Sequence, residues 1–268
     1  MQRTGKFKRM RLSANIGFLF ADRPLIERIH AAAACGFAAI EMHWPYDVPP
    51  EPVRQAIAAH GLAMLGVNTP RGGSADFGLG AVPGREAEFQ SGFDLALDYA
   101  RTIGAAAIHC MAGKGDPADR AAAESVFVDN LRIAADKAQG TGITLLIEPI
   151  NHRDAPGYVL SHSAQAAAII ERIGRLNIKL MFDCYHLQIT EGDLTRRLEA
   201  LLPIIGHVQI AAVPSRAEPD EGEINYAHIL KHLDRLGYDG WVGAEYKPRG
   251  LTEAGLGWRE RLAVANSE

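Results

Sequence analysis

Cysteine is scarce in this chain. Three occur in 268 residues, at positions 35, 110 and 184, with no C-x-x-C pair. That excludes a disulfide-stapled scaffold and a cysteine-rich zinc module, and it fits buried thiols in a reducing compartment. No apolar run approaches the ~20 residues needed to cross a bilayer, so no membrane association is expected. The opening MQRTGKFKRMR is basic, but the apolar stretch and cleavage site of a signal peptide do not follow. A cytoplasmic protein is expected. The chain also lacks a basic face. Its 28 Lys and Arg against 32 Asp and Glu give a net charge of −4, with both signs spread along the sequence. A duplex-binding surface would need the opposite balance, so nucleic acid is not an expected partner.

What is present is a soluble globular composition, 47% hydrophobic and 22% charged. One unit recurs. An Ala- and Leu-rich helical stretch ends at a glycine, and a short apolar run follows within a few residues. IHAAAACGFAAIEMHW (29–44), LDYARTIGAAAIHCMAG (97–113) and LKHLDRLGYDGWVGAEY (230–246) are copies. Gly36, Gly61, Gly104, Gly142 and Gly237 suit the left-handed position that ends a helix. Near-continuous apolar runs are those of parallel strands covered on both faces.

Eight strands are expected, at 12–20, 39–45, 63–69, 107–112, 144–150, 178–185, 206–212 and 241–246. Helices are expected at 24–34, 51–60, 85–103, 119–140, 162–173, 193–203, 225–236 and 255–264. The predicted fold class is α/β, a single (β/α)8 TIM barrel over residues 10–268. Residues 1–9 are read as a tail, because Met10 stands directly before the first strand-like run. Two long connections, 70–84 and 213–225, leave C-terminal strand ends, where barrel enzymes build their sites. The glycines of 70–84 do not form G-x-G-x-x-G. They are read as flexibility for a loop that covers the substrate.

Polar residues stand at consecutive strand ends: Glu148, Asp183, Gln209 and Glu245. Neighbouring barrel strands can bring them to one point. Carboxylates in apolar strand sequence cost several kcal/mol if unpaired, and a shared divalent cation offsets that cost. Three carboxylates and an amide oxygen form an all-oxygen set that suits Mg²⁺ or Mn²⁺ better than zinc. Salt bridges at a barrel end are the plainer reading of each residue taken alone.

Several stretches carry a resemblance. They include SANIGFLF (13–20), WPYD (44–47), VPGRE (82–86), FVDNLRIAADKA (127–138) and LLIEPIN (145–151). The most specific are HVQIA (207–211), PSRAEPDEGEINY (214–226) and GWVGAEYKPRGLTEAGLGW (240–258). With these the chain resembles the hydroxypyruvate isomerase family, within the xylose-isomerase-like barrels, over nearly its whole length from Met10. The resemblance implies Glu148, Asp183, Gln209 and Glu245 as metal ligands, and Glu148 and Glu245 as the acid/base pair. It places His186 and Arg216 at the substrate. MHWPYD departs from the family's FLFPYD, so His43 and Trp44 are expected at the mouth of the site.

The implied reaction interconverts a 2-keto-3-hydroxy acid and a 2-hydroxy-3-aldehyde, such as hydroxypyruvate and tartronate semialdehyde. The partner is then a small hydroxy- or oxo-acid. Arg216 is the best cation for its carboxylate, since a guanidinium fork binds carboxylate bidentately. Lys247, Arg249 and His109 are further candidates, against plainer readings as loop charges and a core histidine. An isomerase of 2-oxo-tetronate or a ketose 3-epimerase would use the same groups. A barrel endonuclease would need a His-rich multi-zinc cluster and a basic face. A non-catalytic sugar-acid binding barrel would not need three intact carboxylates. A homo-oligomer is an expectation by analogy alone.

Overall fold

The computed structural model describes residues 10–265. The tail at 1–9 lies outside the described residues. The strands are β1 (Arg11–Asn15), β2 (Ala39–Glu41), β3 (Ala63–Met64), β4 (Gly66–Asn68) and β5 (Ala107–His109). They continue as β6 (Thr144–Ile147), β7 (Ile178–Asp183), β8 (Ile205–Ile210) and β9 (Trp241–Ala244). All pair in parallel, in the order β3-β2-β1-β9-β8-β7-β6-β5-β4. The segments β3 and β4 are one stave interrupted at Leu65. Leu65 N–H donates to Ile40 O on one side, and Ala106 N–H donates to Met64 O on the other. Eight staves therefore close a barrel, as the repeat predicts.

Helices α1 (Leu25–Ala34), α2 (Pro50–Ala59), α3 (Glu86–Ile103), α4 (Arg120–Lys137), α5 (Ser163–Ile173), α7 (Leu194–Leu201) and α8 (Tyr226–Arg235) lie at the expected places. Each of α1, α2, α3 and α5 turns a stripe of apolar residues inward, for instance Phe89, Phe93, Ala96, Leu97 and Ala100 on α3. Gly104 and Gly174 end α3 and α5 with φ of 71° and 65°. An L side chain is strained in that conformation, so glycine stops the helix there.

Three differences from the expected elements have clear causes. The first strand stops at Asn15, not at residue 20, because Phe18 and Leu19 N–H both turn back onto Asn15 O. The stretch expected as strand to residue 185 ends at Asp183, and a short helix α6 (Cys184–Thr190) begins, capped by the Asp183 side chain on Tyr185 N–H. The last expected helix is two pieces, α9 (Thr252–Gly255) and α10 (Trp258–Ala265).

The loop 70–84 is tied down. Gly80 and Ala81 N–H donate to Met111 and Ala112 O, and Asp76 holds Arg85 at 2.7 Å. A Cβ on Gly113, whose φ is +91°, would sit 2.3 Å from Gly78 O. Glycine here allows two backbones to meet, rather than supplying the flexibility expected from sequence.

The lower half of the barrel interior is sparsely filled. A cavity of about 340 Å³ runs up from Ala106, Gly206 and Trp241 to Asn15, Glu41, His109, His207, Gln209 and Glu245.

Candidate active site

The C-terminal ends of the staves carry the site. Glu148 follows β6, Asp183 ends β7, Gln209 lies on β8 and Glu245 follows β9. All four are buried. Atoms of Glu148, Asp183, Glu245 and His186 lie within 4.8 Å of one another.

The free atoms of this cluster test whether a cation fits. Glu148 Oε1, Asp183 Oδ2 and Gln209 Oε1 are buried without a hydrogen-bond partner. Asp183 Oδ1 accepts from Tyr185 N–H at 2.8 Å, and Gln209 Nε2 donates to Glu41 Oε2 at 3.2 Å. Asp183 and Gln209 each spend one end on the protein and leave an oxygen over. Orphaned buried oxygens on Glu148 and Asp183, which stand in one cluster, and on Gln209, the register partner of Asp183, are a costly arrangement that a hard divalent cation would satisfy.

His186 stands at the cluster in a different capacity. Asn151 Oδ1 accepts from Arg153 and Asp154 N–H, so its amide nitrogen faces His186 Nδ1 at 2.7 Å. Asn151 N–H also donates to that nitrogen. Arg216 Nη2, which can only donate, lies 3.3 Å from Nε2, so donors face both ring nitrogens; Nε2 also lies 3.6 Å from Asp183 Oδ2 and 3.8 Å from Glu148 Oε1.

Glu245 is the most heavily partnered acid. Asn15 Nδ2 donates to its Oε1 at 2.8 Å, and His43 Nε2 lies 3.0 Å from the same oxygen. Arg216 donates to its Oε2 at 2.9 Å and to Asp154 Oδ2 at 2.7 Å. The guanidinium is held between the rings of Phe18 and Tyr185, 4.9 Å from each centroid. Both terminal nitrogens of Arg216 are thus engaged within the protein.

These partners set opposite electrostatics on the two glutamates. Burial, then the charges of Glu245 and Asp183, push Glu148 well above the usual carboxylate range. Burial would also raise Glu245, but the His43 hydrogen bond and the Arg216 charge outweigh it and hold Glu245 below that range. Asp183 is raised by burial and by Glu245. Burial lowers His109 to about 4, and burial with the Arg216 charge lowers His186 well below its usual value. His109 Nδ1 lies 3.6 Å from Glu148 Oε2, which places it beside the cluster.

The remaining expected residues divide. His43 reaches Glu245, and Trp44, 37% exposed, donates its indole N–H to Thr69 O at the rim. Lys247 is exposed, with its ammonium 5.8 Å from the Phe18 ring. Arg249 is bound to Glu218, Asp220 and Glu221, so it braces the loop after β8. Asn15, Glu41, His207 and Asn151 were not singled out from sequence. The rule that found Glu148 and Asp183 would have found Asn15 and Glu41, since both end strands. Strands read as running to residues 20 and 45 hid them in mid-strand.

Comparison with known proteins agrees with the barrel fold. A family model described as xylose isomerase-like TIM barrel matches residues 29–267. A 2-oxo-tetronate isomerase of Cupriavidus necator is 45% identical over 251 residues, covering 92% of this chain and 96% of that protein. A hydroxypyruvate isomerase of Escherichia coli is 41% identical, covering 94% and 98%. The crystal structure of a Brucella melitensis protein titled AP endonuclease, family 2, superposes with a TM-score of 0.92 at 42% identity, covering 94% of this chain and 98% of that one.

Proposed function

Because the chain belongs to the xylose isomerase-like TIM barrel family, we propose that it is a divalent-metal-dependent isomerase of a small oxo-hydroxy acid, with hydroxypyruvate and tartronate semialdehyde as the pair. The observation that carries the metal site is the set of three orphaned buried oxygens on Glu148, Asp183 and its register partner Gln209. These three would hold Mg²⁺ or Mn²⁺ together with Glu245. When bound, the ion would polarise the substrate carbonyl and stabilise negative charge on the neighbouring oxygens.

The chain's own residues supply the proton transfers. In the forward direction one glutamate of the Glu148 and Glu245 pair removes the C3 proton. The other delivers a proton to C2 of the enediolate, and the hydroxyl proton passes from O3 to O2. His186 and His109 are the imidazoles beside the cluster for substrate oxygens. Arg216 and Lys247 are the cations nearest Phe18 for its carboxylate. Phe18, Trp44 and Tyr185 border the mouth and limit water.

A second substrate, 2-oxo-tetronate, is favoured by one observation: relatives bearing that name match as well as those named hydroxypyruvate isomerase. The test is incubation of metal-free protein with hydroxypyruvate in D₂O, with and without Mn²⁺ or Mg²⁺, followed by proton NMR. Metal-dependent tartronate semialdehyde that disappears in Glu148→Gln and in Glu245→Gln is expected. Deuterium exchange without product moves the assignment to the four-carbon acid. Folded, metal-loaded protein that gives neither result would defeat the proposal.

A further inference from the structure

Below the cluster lies a second polar layer that the proposed chemistry does not use. Glu41 ends β2 and is buried. Its Oε2 accepts from Gln209 Nε2 at 3.2 Å and lies 2.9 Å from His207 Nε2. We infer that Glu41 is a positioning residue that fixes which end of the Gln209 amide faces the metal. Its role presupposes the metal site proposed above.

A carboxamide presents nearly the same shape when turned by 180°, so packing alone does not choose between its oxygen and its nitrogen. Glu41 chooses. In the observed orientation the nitrogen is held down on a carboxylate oxygen, and Gln209 Oε1 is left without a hydrogen-bond partner. The reversed amide would set its oxygen against Glu41 Oε2 and point two N–H groups at the cation. That loses a buried hydrogen bond and adds repulsion at both ends.

The barrel wall makes room for this contact. In the sheet, β1 and β9 separate β2 from β8, so Glu41 must reach across. Gly243 on β9 is the register partner of Gln209. A Cβ on Gly243 would lie 2.0 Å from Glu41 Oε1 and 2.9 Å from His207 Nε2. A side chain at 243 would therefore occupy the path that Glu41 takes. Partners that orient a metal ligand change metal affinity when removed, commonly by ~10–100-fold.

The experiment is a double-mutant cycle on Mn²⁺ affinity, measured by calorimetry and by Mn²⁺ electron paramagnetic resonance on variants whose melting shows them folded. Glu41→Leu should weaken Mn²⁺ binding about 10-fold or more, whereas Glu41→Gln, which keeps an acceptor oxygen, should stay within about 3-fold. In a Gln209→Ala background, Glu41→Leu should add less than about 2-fold, because the residue it acts through is gone. Gly243→Ala keeps Glu41 but blocks its path, and should reproduce the loss. Wild-type affinity in Glu41→Leu, or an equal loss with and without Gln209, overturns the inference. Should Glu41→Leu not fold, wild-type affinity in Gly243→Ala overturns it. Wild-type protein that binds no Mn²⁺ removes the metal site itself. Wild-type binding with an indifferent Glu41→Leu removes only the positioning role.

Discussion

Arg216→Met tests how the metal-free site holds its charges. Methionine has a similar length and can fill the slot between Phe18 and Tyr185. Two acids lose a partner, unequally. Asp154 is 25% exposed and keeps the Tyr185 hydroxyl at 3.1 Å, so water replaces much of what it loses. Glu245 is 8% exposed and loses the one partner that Oε2 has among the described residues, while Asn15 and His43 remain on Oε1. Leaving a buried charge without its counter-ion costs about 3–5 kcal/mol, and the partners kept on Oε1 place this case near the lower end. For a chain of this size about 3 kcal/mol corresponds to a fall in Tm of ~6–12 °C. Calorimetric melting of metal-free protein at neutral pH reads it directly. In Glu245→Gln the charge is gone, so Arg216→Met should then cost much less. A Tm within about 2 °C of wild type would refute the reasoning, as would strict additivity of the two substitutions.

Glu148→Gln and Glu245→Gln should each lower kcat by about 10²–10⁴-fold, the usual worth of a positioned acid or base. A turnover assay on folded, Mn²⁺-loaded variants checks this. Metal-free protein should lose stability as pH rises from about 6.5 to 8, because folded Glu148 and Asp183, the latter pushed up to about 8, keep protons that the unfolded chain has released. His207, raised by Glu41 against the effect of burial, acts with the same sign, while His109 and His186, neutral when folded, oppose it at the lower end of the window, where the unfolded chain still gives up histidine protons. Mn²⁺ needs ionised carboxylates, so its stabilising effect should be larger at pH 8 than at pH 6.5; melting with and without Mn²⁺ tests both statements, and a metal-free Tm that rises over that window would count against them. Gly113→Ala should cost at least about 2 kcal/mol, since the residue has positive φ and its Cβ would meet Gly78 O. Thermal melting that shows no loss would mean the loop 70–84 is not anchored there.

The barrel was legible because its signal is repeated. Each helix-ending glycine and apolar run says little alone, but copies at one spacing say where every stave stands. The acids were legible for a related reason: Glu148, Asp183 and Glu245 interrupt apolar strands, which is conspicuous. What stayed hidden was set by chain direction after the strand ends. Nothing in NIGFLF marks the turn of Phe18 and Leu19 onto Asn15, so Asn15 was read as mid-strand. Cys184–Thr190 was read past because its cap is the same Asp183 whose side chain already had another explanation. The engagement of Arg216 by Asp154 joins residues 62 positions apart, and no local pattern announces it.

The pairing of β1 with β9 has a consequence during synthesis. Asn15, near the start of the described chain, bonds Glu245, 230 positions later. Glu148 and Asp183 leave the ribosome well before Glu245, and no ring exists to enclose them until the ninth strand slots beside the first. The nascent chain therefore carries its acids unsheltered until nearly all of it is made. The site is then completed by the same step that closes the barrel, so a chain that stops short of β9 lacks both the last acid and the wall that would bury the others.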